Sequence, residues 1–362
     1  MSAIASRILR TIRSARERMG ARATGKPLVG YIGAQGGGNL GDDSMYAAAG
    51  ELLSRRSLVE FGQSREERWL TPFGLGGRRL FESIVLGGGT LINPIWMDQV
   101  QDALRRGLRL WSLGTGLGSC GFGQPDDVDV RNWSPLLKQF IGIGVRGFRS
   151  KAALEEMGIG NVRVVGDLAL ALAQPQLPDI CDVPRVAVSI TQQPGQAYGD
   201  GECSCFIGLE QALRGLVRDG WIVDPIAMHP RDAVFLGELM RRVGQGGVPV
   251  SVPRFASECF GLIAPCTFMI AVRLHAAVFS CCVGVPPLML GYREKCLEFM
   301  ESMNLEAWHV PIRRQAGEEI ENAAMTLSSL APSLRLPVHA RALAWKETLT
   351  EYVRSVVSAS VD

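Results

Sequence analysis

One stretch of the sequence, residues 267–280, limits the folds available to this chain more than any other. Residues 268 to 272 form a continuous apolar run without helical spacing, which is typical of a strand buried on both faces of a parallel sheet. A helix of small residues follows directly. Arg273 and His275 therefore lie at the carboxyl end of a strand, where open α/β sheets bind ligands. This placement predicts a functional site; the alternative is an arginine paired with a carboxylate beside a core histidine.

Composition narrows the class of protein without identifying a partner. A chain of 362 residues fits two domains, and 47% hydrophobic with 20% charged residues is ordinary for a globular protein. A net charge of +2 gives no indication of nucleic-acid binding. The nine cysteines lack CxxC spacing, so we expect reduced thiols, a cytoplasmic protein and no zinc site. No apolar run reaches the roughly 18 residues that a membrane span needs.

The N-terminal segment, residues 1–26, is basic and shows helical spacing. Its apolar and basic side chains fall on largely separate helical faces, with Ile4, Ile8 and Ile12 on one and Arg7, Arg10 and Arg13 on the other. Such a helix can lie on an anionic membrane surface, so one interpretation is a peripheral contact with the inner face of the membrane through residues 4–22. The alternative is a loosely ordered basic arm.

The rest of the chain alternates strand-like and helix-like segments, which predicts an α/β fold with a parallel sheet in each of two halves. We expect an N-terminal domain over residues 27–174 and a C-terminal domain over residues 185–335. A segment rich in proline, residues 175–184, is the predicted linker. The final helix, in residues 336–362, is a candidate to cross back to the first domain.

A glycine-rich loop follows the first predicted strand and precedes a helix predicted from about Ser44 to Arg56. Its glycines formally satisfy G-x-G-x-x-G, and Glu60 follows at the spacing of a ribose-binding acid, which keeps a dinucleotide site open as an alternative. The three glycines are Gly36, Gly38 and Gly41. Against this alternative, Asp42 and Asp43 stand at the expected helix start, where carboxylates satisfy the amides and repel a pyrophosphate.

Several other predicted strands end in glycines or in charged and polar residues. Because the carboxyl ends of parallel strands meet at one edge of a sheet, these residues are candidates to line a common cleft. They are Gly89 and Thr90, Arg146, Asp167, His229, and the pair Arg293 and Lys295.

Six ordered motifs together resemble the polysaccharide pyruvyl transferase family, and the correspondence covers about residues 28 to 310. They are Asn39-Leu-Gly-Asp-Asp43, Leu86-Gly-Gly-Gly-Thr90, Val145-Arg146 before Ser150, Gly166-Asp167, Arg273-Leu-His275 and Tyr292-Arg-Glu-Lys295. The resemblance implies two Rossmann-like halves facing across a cleft, as in GT-B glycosyltransferases. It also implies transfer of pyruvate from phosphoenolpyruvate onto two sugar hydroxyls as a cyclic ketal. Two positions depart from the family pattern: Gly147 replaces a common acid, and Gly166-Asp167-Leu replaces Asp-Pro.

The resemblance also implies roles for individual residues. Arg146 and Arg273 would bind the donor, because forked guanidinium groups suit its carboxylate and phosphate, and Lys295 and Arg293 would add charge. His275 would be the general acid, since its ordinary pKa of about 6.5 is close to working pH. Asp42 or Asp43 would be the base, unless these residues only cap the helix. Further substrate contacts are expected from Asn39, Gly38, Gly89, Thr90, Asp167 and His229.

Neither a metal nor a cofactor is expected, because phosphoenolpyruvate enters as a substrate. The acceptor would be a sugar in a cell-surface polysaccharide or its lipid-linked precursor, and no nucleic acid is expected as a partner. The principal alternative is a GT-B nucleotide-sugar glycosyltransferase, for which the same two-domain layout would serve. An NAD-dependent oxidoreductase is the further alternative and rests on the glycine loop alone.

Overall fold

A computed structural model describes residues 3–62, 69–75, 80–118, 130–191, 202–312 and 316–359 of the chain. The expectation for the N-terminal segment falls partly outside this description, because the side chains of residues 3–10 and of residue 13 are not included. The backbone of the segment is helical over Ala3–Ala23, which we label α1. No helix in the described ranges is long and apolar enough to cross a bilayer.

The first half of the chain builds one parallel α/β sheet. Its elements after α1 are β1 (Leu28–Ile32), α2 (Leu40–Leu52), β2 (Ser57–Glu60), β3 (Phe81–Leu86), β4 (Gly89–Ile92), α3 (Pro94–Arg105), β5 (Leu110–Leu117), α4 (Ser134–Leu137), β6 (Gly142–Val145), α5 (Phe148–Glu156) and β7 (Val162–Val164). The described strands run in the order β2-β1-β3-β5-β6-β7, with β4 paired to β5. Every residue of β1 is buried, as expected of a strand covered on both faces.

The second half builds another parallel sheet. Its elements are β8 (Arg185–Ser189), α6 (Glu202–Arg218), β9 (Ile222–Pro225), α7 (Asp232–Arg242), α8 (Ala256–Ile263), β10 (Phe268–Ala271), α9 (Leu274–Cys282), β11 (Pro287–Gly291), α10 (Glu294–Ser302), β12 (His309–Pro311) and α11 (Gly317–Ala359). The order is β12-β11-β10-β8-β9, so β10 is central and fully buried. The prediction of an α/β fold with two parallel sheets is confirmed.

The long helix α11 connects the two halves. Its first turns pack in the core of the second domain through Ile320, Ala324 and Leu327. Its last turns pack against the first sheet, where the ring centroid of Tyr352 lies 6.3 Å from that of Trp111. The helix is much longer than the predicted segment, because it continues through Pro332 and Pro337.

The middle of α11 also holds the segment that links the two domains. His339 Nε2 lies 2.8 Å from the carbonyl of Gln174, and Lys346 Nζ donates to the carbonyl of Ala173 at 2.8 Å. Arg335 donates to the carbonyl of Pro178. The two places where the chain passes between the domains are therefore side by side.

Candidate functional site

The imidazole of His275 packs directly against the backbone of Gly41. His275 lies in the first turn of α9, immediately after the central strand of the second sheet, whereas Gly41 lies in the first turn of α2 in the first domain. A Cβ atom added to Gly41 would overlap the imidazole ring. The close approach of the two domains at this point therefore requires glycine at position 41.

Asp167 approaches the other side of the same imidazole. His275 Nε2 lies 4.0 Å from Asp167 Oδ1, and the Asp167 side chain is completely buried. Asp167 Oδ1 accepts a hydrogen bond from the amide of Ala169. Neither His275 Nε2 nor Asp167 Oδ2 has a hydrogen-bond partner within the described residues. Two buried polar atoms are thus available to a ligand, because such groups are usually satisfied.

Burial lowers the pKa of His275 below its ordinary value of 6.5, while the nearby carboxylates of Asp167 and Asp42 oppose the shift. The imidazole is therefore predominantly neutral at pH 7 in the free protein. The ordinary pKa of about 6.5 therefore does not describe His275 in the free protein, because burial of the imidazole lowers the pKa.

Asp42 faces the same cluster from α2. Its Oδ2 accepts a hydrogen bond from the Asn39 side-chain amide at 2.7 Å. Burial raises the pKa of Asp42, and the charges of His275 and Lys295 work in the opposite direction. A carboxylate whose pKa is raised is a better proton acceptor than an exposed aspartate, so Asp42 is suited to act as a base.

Asp43 has a different environment from Asp42. Its Oδ1 accepts a hydrogen bond from the amide of Gly36 at 2.5 Å, which fixes the glycine-rich loop. Asn39 caps the helix by accepting from the amide of Gly41 at 3.1 Å. The helix begins at Leu40 instead of Ser44, so the expectation that Asp42 and Asp43 precede and cap it is wrong. An asparagine oxygen satisfies the amide instead.

Arg273 is held by a carboxylate of its own domain. Its Nε and Nη2 donate to the two oxygens of Asp232 at 2.9 and 2.8 Å, and its side chain is 14% exposed. Asp232 is buried and also accepts from the hydroxyl of Thr191 at 2.8 Å. This forked pair fixes the orientation of the guanidinium. The alternative of a paired arginine thus describes part of the contact pattern of Arg273.

Arg146 is fixed in a comparable way, but by the other domain. Its Nη2 lies 3.1 Å from Glu298 Oε2, and both side chains are almost fully buried. Glu298 Oε1 also accepts from the amide of Ser150 at 2.7 Å, so the glutamate satisfies the first turn of α5. Ser150 lies inside this helix, which starts at Phe148.

Glu298 occupies the space beside Gly147, where the family pattern commonly has an acid. A Cβ atom on Gly147 would overlap the Glu298 side chain. A carboxylate from α10 therefore lies where a side chain at position 147 would project. Arg149 lies outside this arrangement and pairs with Glu294 and Glu301 at the surface.

Lys295 and Arg293 flank the aromatic ring of Tyr292. Lys295 Nζ lies 5.1 Å and Arg293 Cζ 6.0 Å from the ring centroid. Burial lowers the pKa of Lys295 to about 8, and the positive charges of Arg146 and Arg293 act in the same direction. An ammonium group with such a pKa is stabilised by a neighbouring anion.

His229 approaches the glycine-rich loop from the second domain. Its Nε2 lies 3.7 Å from the position of a Cβ on Gly38, and its Nδ1 accepts from the amide of Arg231 at 3.0 Å. The amide of Leu40 donates to the carbonyl of Met228 at 2.9 Å. One nitrogen of His229 therefore serves the local turn, while the other faces the loop.

Gly89 and Thr90 lie at the start of β4, at the same edge of the first sheet. The nearest side chains to Gly89 are those of Met45 and Leu91, and the carbonyl of Thr90 accepts from the Asn93 side-chain amide. These contacts position the loop between β3 and β4. They do not join Gly89 or Thr90 to His275.

The site thus brings residues of both domains together. The charges of Asp42, Asp167, Lys295 and Arg146 all affect the pKa of His275, and Arg273 affects that of Asp42. Sequence reasoning missed Asp232 and Glu298. Asp232 carried only a helix-start signal, and nothing near Glu298 in the sequence indicated a partner for Arg146. No group of three metal-binding side chains is arranged to hold an ion in the described part of the chain.

The sequence matches the family model described as polysaccharide pyruvyl transferase over residues 39–294. The chain belongs to the polysaccharide pyruvyl transferase family. The matched region contains β2 to β11 and the site residues from Asn39 to Arg293, whereas Lys295 and Glu298 lie just beyond it. No curated protein sequence is similar enough to this pyruvyl transferase family member to count as a relative.

Solved structures resemble this family member in fold at low sequence identity. A UDP-glucosyltransferase from Polygonum tinctorium is 13% identical with a TM-score of 0.57, and the match covers 93% of this chain and 99% of that one. A putative UDP-N-acetylglucosamine 2-epimerase from Listeria monocytogenes is 9% identical with a TM-score of 0.55, covering 85% and 90%. An O-GlcNAc transferase mutant from Thermobaculum terrenum is 12% identical with a TM-score of 0.50, and the chain spans 66% of its length against 92% of its own. The predicted GT-B-like arrangement of two Rossmann-like domains is confirmed.

Proposed function

We propose that this protein transfers pyruvate from phosphoenolpyruvate onto two hydroxyls of a sugar, forms a cyclic ketal and releases phosphate. The observation that carries the proposal is the position of His275, which lies between Gly41 and Asp167 of the other domain and beside fixed cations from both domains. Membership of the pyruvyl transferase family supports the reaction type.

Donor binding is assigned to the cations around His275. Arg146 and Arg273 are held rigid by Glu298 and Asp232, so their guanidinium orientation is set before the donor arrives. Lys295 contributes a positive charge that a bound phosphate would stabilise, because its pKa of about 8 in the free protein would rise beside a dianion. Arg293, whose guanidinium carbon lies 6.0 Å from the centroid of the Tyr292 ring, adds a further positive charge near Lys295.

The first chemical step is assigned to His275. The donor's negative charge and the carboxylate of Asp167 raise the imidazole pKa, so His275 binds a proton when the donor binds. It gives this proton to the methylene carbon of the enol, where a C–H bond forms and a cationic centre develops at the adjacent carbon. One sugar hydroxyl attacks that centre, and Asp42 accepts the hydroxyl proton.

The second step closes the ketal. The bond between the central carbon and the phosphate oxygen breaks, and the second hydroxyl attacks the same carbon. Its proton leaves with the phosphate, so the products are the ketal and hydrogen phosphate. Asp42 then releases its proton to solvent, and His275 is left in the neutral form in which it began the cycle. Each arginine remains paired with its carboxylate throughout. No cofactor is required by this sequence of steps, since phosphoenolpyruvate supplies both the carbon frame and the leaving group.

The acceptor is proposed to be a sugar of a cell-surface polysaccharide or of its lipid-linked precursor. Acceptor contacts are assigned to the polar residues at the glycine-rich loop and the neighbouring strand ends: Asn39, Gly38, Gly89, Thr90 and His229. Asp43, which fixes the loop, acts only as a positioning residue. An acceptor carried by a lipid places the enzyme in the cytoplasm at the inner face of the membrane.

The experiment is an assay with phosphoenolpyruvate and a panel of aryl glycosides that differ in their hydroxyl pairs. We expect phosphate release together with a new ketal methyl signal in the proton NMR spectrum. His275→Ala should lower the rate by at least about a hundredfold, the usual effect of losing a general acid. His309→Asn is the control, since His309 packs against Gly291 outside the site. Unchanged turnover in His275→Ala would refute the assignment of the acid.

A GT-B nucleotide-sugar glycosyltransferase is the second candidate, because the structures of similar fold include a UDP-glucosyltransferase. Thermal unfolding separates the two, since a ligand that binds the native state raises the melting temperature. We expect stabilisation by phosphoenolpyruvate and none by UDP. The reverse result would favour the glycosyltransferase, and stabilisation by NAD alone would favour an oxidoreductase.

A further inference from the structure

The helix α1 is fixed to the first domain by an arginine that points inward. Arg18 is fully buried; its Nη1 donates to the carbonyl of Leu75 at 2.7 Å and its Nη2 to the carbonyl of Glu60 at 2.9 Å. Its guanidinium carbon lies 5.0 Å from the ring centroid of Phe81. These contacts fix the orientation of α1 on the first domain. They therefore also fix which residues of α1 are exposed.

One of the exposed faces of α1 is apolar. Ile12 and Met19 are 47% and 52% exposed, whereas Arg18 on the same helix is buried. Beside them, Trp69 and Phe73 are 73% and 76% exposed. These four side chains, which we call the N-terminal patch, line one open groove of about 720 Å³ together with the buried side chain of Leu70. Large apolar side chains clustered at such exposures mark an interaction surface.

The basic residues around the patch indicate that its partner carries negative charge. Residues 3–26 contain seven basic residues and one acidic residue. Arg22 lines the groove itself, and Arg16 and Lys26 are exposed on the same segment. A protein surface of this kind combines aromatic side chains that insert at the headgroup level with cations that attract anionic lipids.

We propose that the N-terminal patch binds the surface of an anionic lipid bilayer. Trp69 and Phe73 enter the interfacial region, Ile12 and Met19 extend the apolar contact along α1, and Arg16 and Arg22 contact the anionic headgroups. Binding at this surface requires neither substrate nor turnover, so it is tested independently of the proposed reaction. A lipid-linked acceptor would then be concentrated in the same plane as the enzyme.

The test is co-sedimentation of the full chain with vesicles of phosphatidylcholine alone or of phosphatidylcholine containing phosphatidylglycerol. We expect binding to the anionic vesicles that weakens with added salt, and little binding to the zwitterionic ones. The double variant Trp69→Ser/Phe73→Ser should weaken binding roughly tenfold or more, because most of the inserted apolar area is lost. Arg16→Gln/Arg22→Gln should weaken it by a similar factor, again roughly tenfold.

The matched control is Val234→Ser/Leu336→Ser, which removes two apolar side chains that are 74% and 65% exposed elsewhere on the molecule. This variant should bind the vesicles like the wild type. All variants change exposed residues, and equal melting temperatures verify that the fold is intact. Brominated lipids should quench the part of the tryptophan fluorescence that Trp69→Phe removes.

Two results would overturn the proposal. One is the absence of anionic-vesicle binding, or binding that Trp69→Ser/Phe73→Ser leaves unchanged. The other is a wild-type dimer, seen by light scattering, that becomes monomeric in this double variant while vesicle binding is unaffected. The patch would then be an interface between two copies of the chain.

Discussion

Arg146 and Glu298, which are 152 positions apart in the chain, form a buried ion pair that joins the two domains. The same glutamate accepts the amide hydrogen of Ser150 and fills the space next to Gly147. One carboxylate therefore orients the arginine that we propose to bind the donor, accepts from an amide in the first turn of α5 and fills the space that a side chain at position 147 would occupy.

Removal of this carboxylate should be costly, and an acid at position 147 should restore part of the loss. Glu298→Ala leaves the Arg146 charge buried without its partner, so we expect a loss of about 3 to 5 kcal/mol in the free energy of unfolding. Gly147→Asp/Glu298→Ala should recover stability and donor affinity, because the new carboxylate enters the vacated space. Denaturant unfolding and phosphoenolpyruvate titration measure the two effects.

The control is Arg149→Met, which removes the exposed pairs with Glu294 and Glu301 and should cost about 1 kcal/mol or less. A double variant no more stable than Glu298→Ala would show that Glu298 does not stand in for the missing acid.

The contact between Gly41 and His275 predicts a sharp difference between two glycines of α2. Gly41→Ala should destabilise the protein by about 1 to 3 kcal/mol and reduce activity, because the new methyl group displaces the imidazole. Gly50→Ala places the same group where nothing lies within 4 Å, so it should be neutral or stabilising by about 0.5 to 1 kcal/mol. Thermal unfolding and turnover of both variants provide the comparison. Equal effects of the two substitutions would show that residue 41 does not pack tightly against the imidazole of His275.

The lowered pKa of Lys295 predicts that donor binding weakens at alkaline pH. Its pKa of about 8 means that the free enzyme loses this charge above pH 8, so kcat/KM for phosphoenolpyruvate should decline there. Lys295→Arg remains charged and should keep kcat/KM constant over this range, whereas Lys295→Met should be low at every pH. A decline above pH 8 that persists in Lys295→Arg would assign the titration to another group.

His275 predicts an acid dependence of stability. Its pKa is lower in the folded protein than the 6.5 of the unfolded chain, so the unfolded state binds more protons as the pH falls below about 6.5. The contribution of His275 to the free energy of unfolding is fully present above pH 6.5 and is lost as the pH falls through the folded-state pKa. His275→Asn should show a shallower decline over this interval in urea-unfolding experiments at stepped pH. Identical slopes would indicate that His275 is not desolvated in the native state.

The sequence was informative where local pattern determines structure. The apolar run before Arg273 predicted the central strand of the second sheet, and the observed strand Phe268–Ala271 ends just before that arginine. Strand and helix alternation likewise predicted both sheets. These features depend on the chain's own periodicity, so they can be recognised without knowing what packs against them.

The partners of the site residues could not be predicted in the same way. Asp232 and Glu298 meet their arginines only after the chain has folded over long sequence separations. The pKa of His275 also depends on desolvation by the opposite domain, which no local pattern records. The role of Asp43 could not be predicted either, because its hydrogen bond with the amide of Gly36 depends on the path of the glycine-rich loop.

The linker runs antiparallel to the middle of α11, and this arrangement has a mechanical consequence. Because Ala173, Gln174 and Pro178 are hydrogen-bonded to a helix that packs in both cores, we expect the two crossings to act together as one hinge. Separation by sliding would break both at once, whereas bending about their shared line leaves them intact. We therefore expect the two domains to rotate apart about this shared line when substrate enters. Cleavage of α11 near Leu336 should remove the constraint and leave the domains connected by the linker alone.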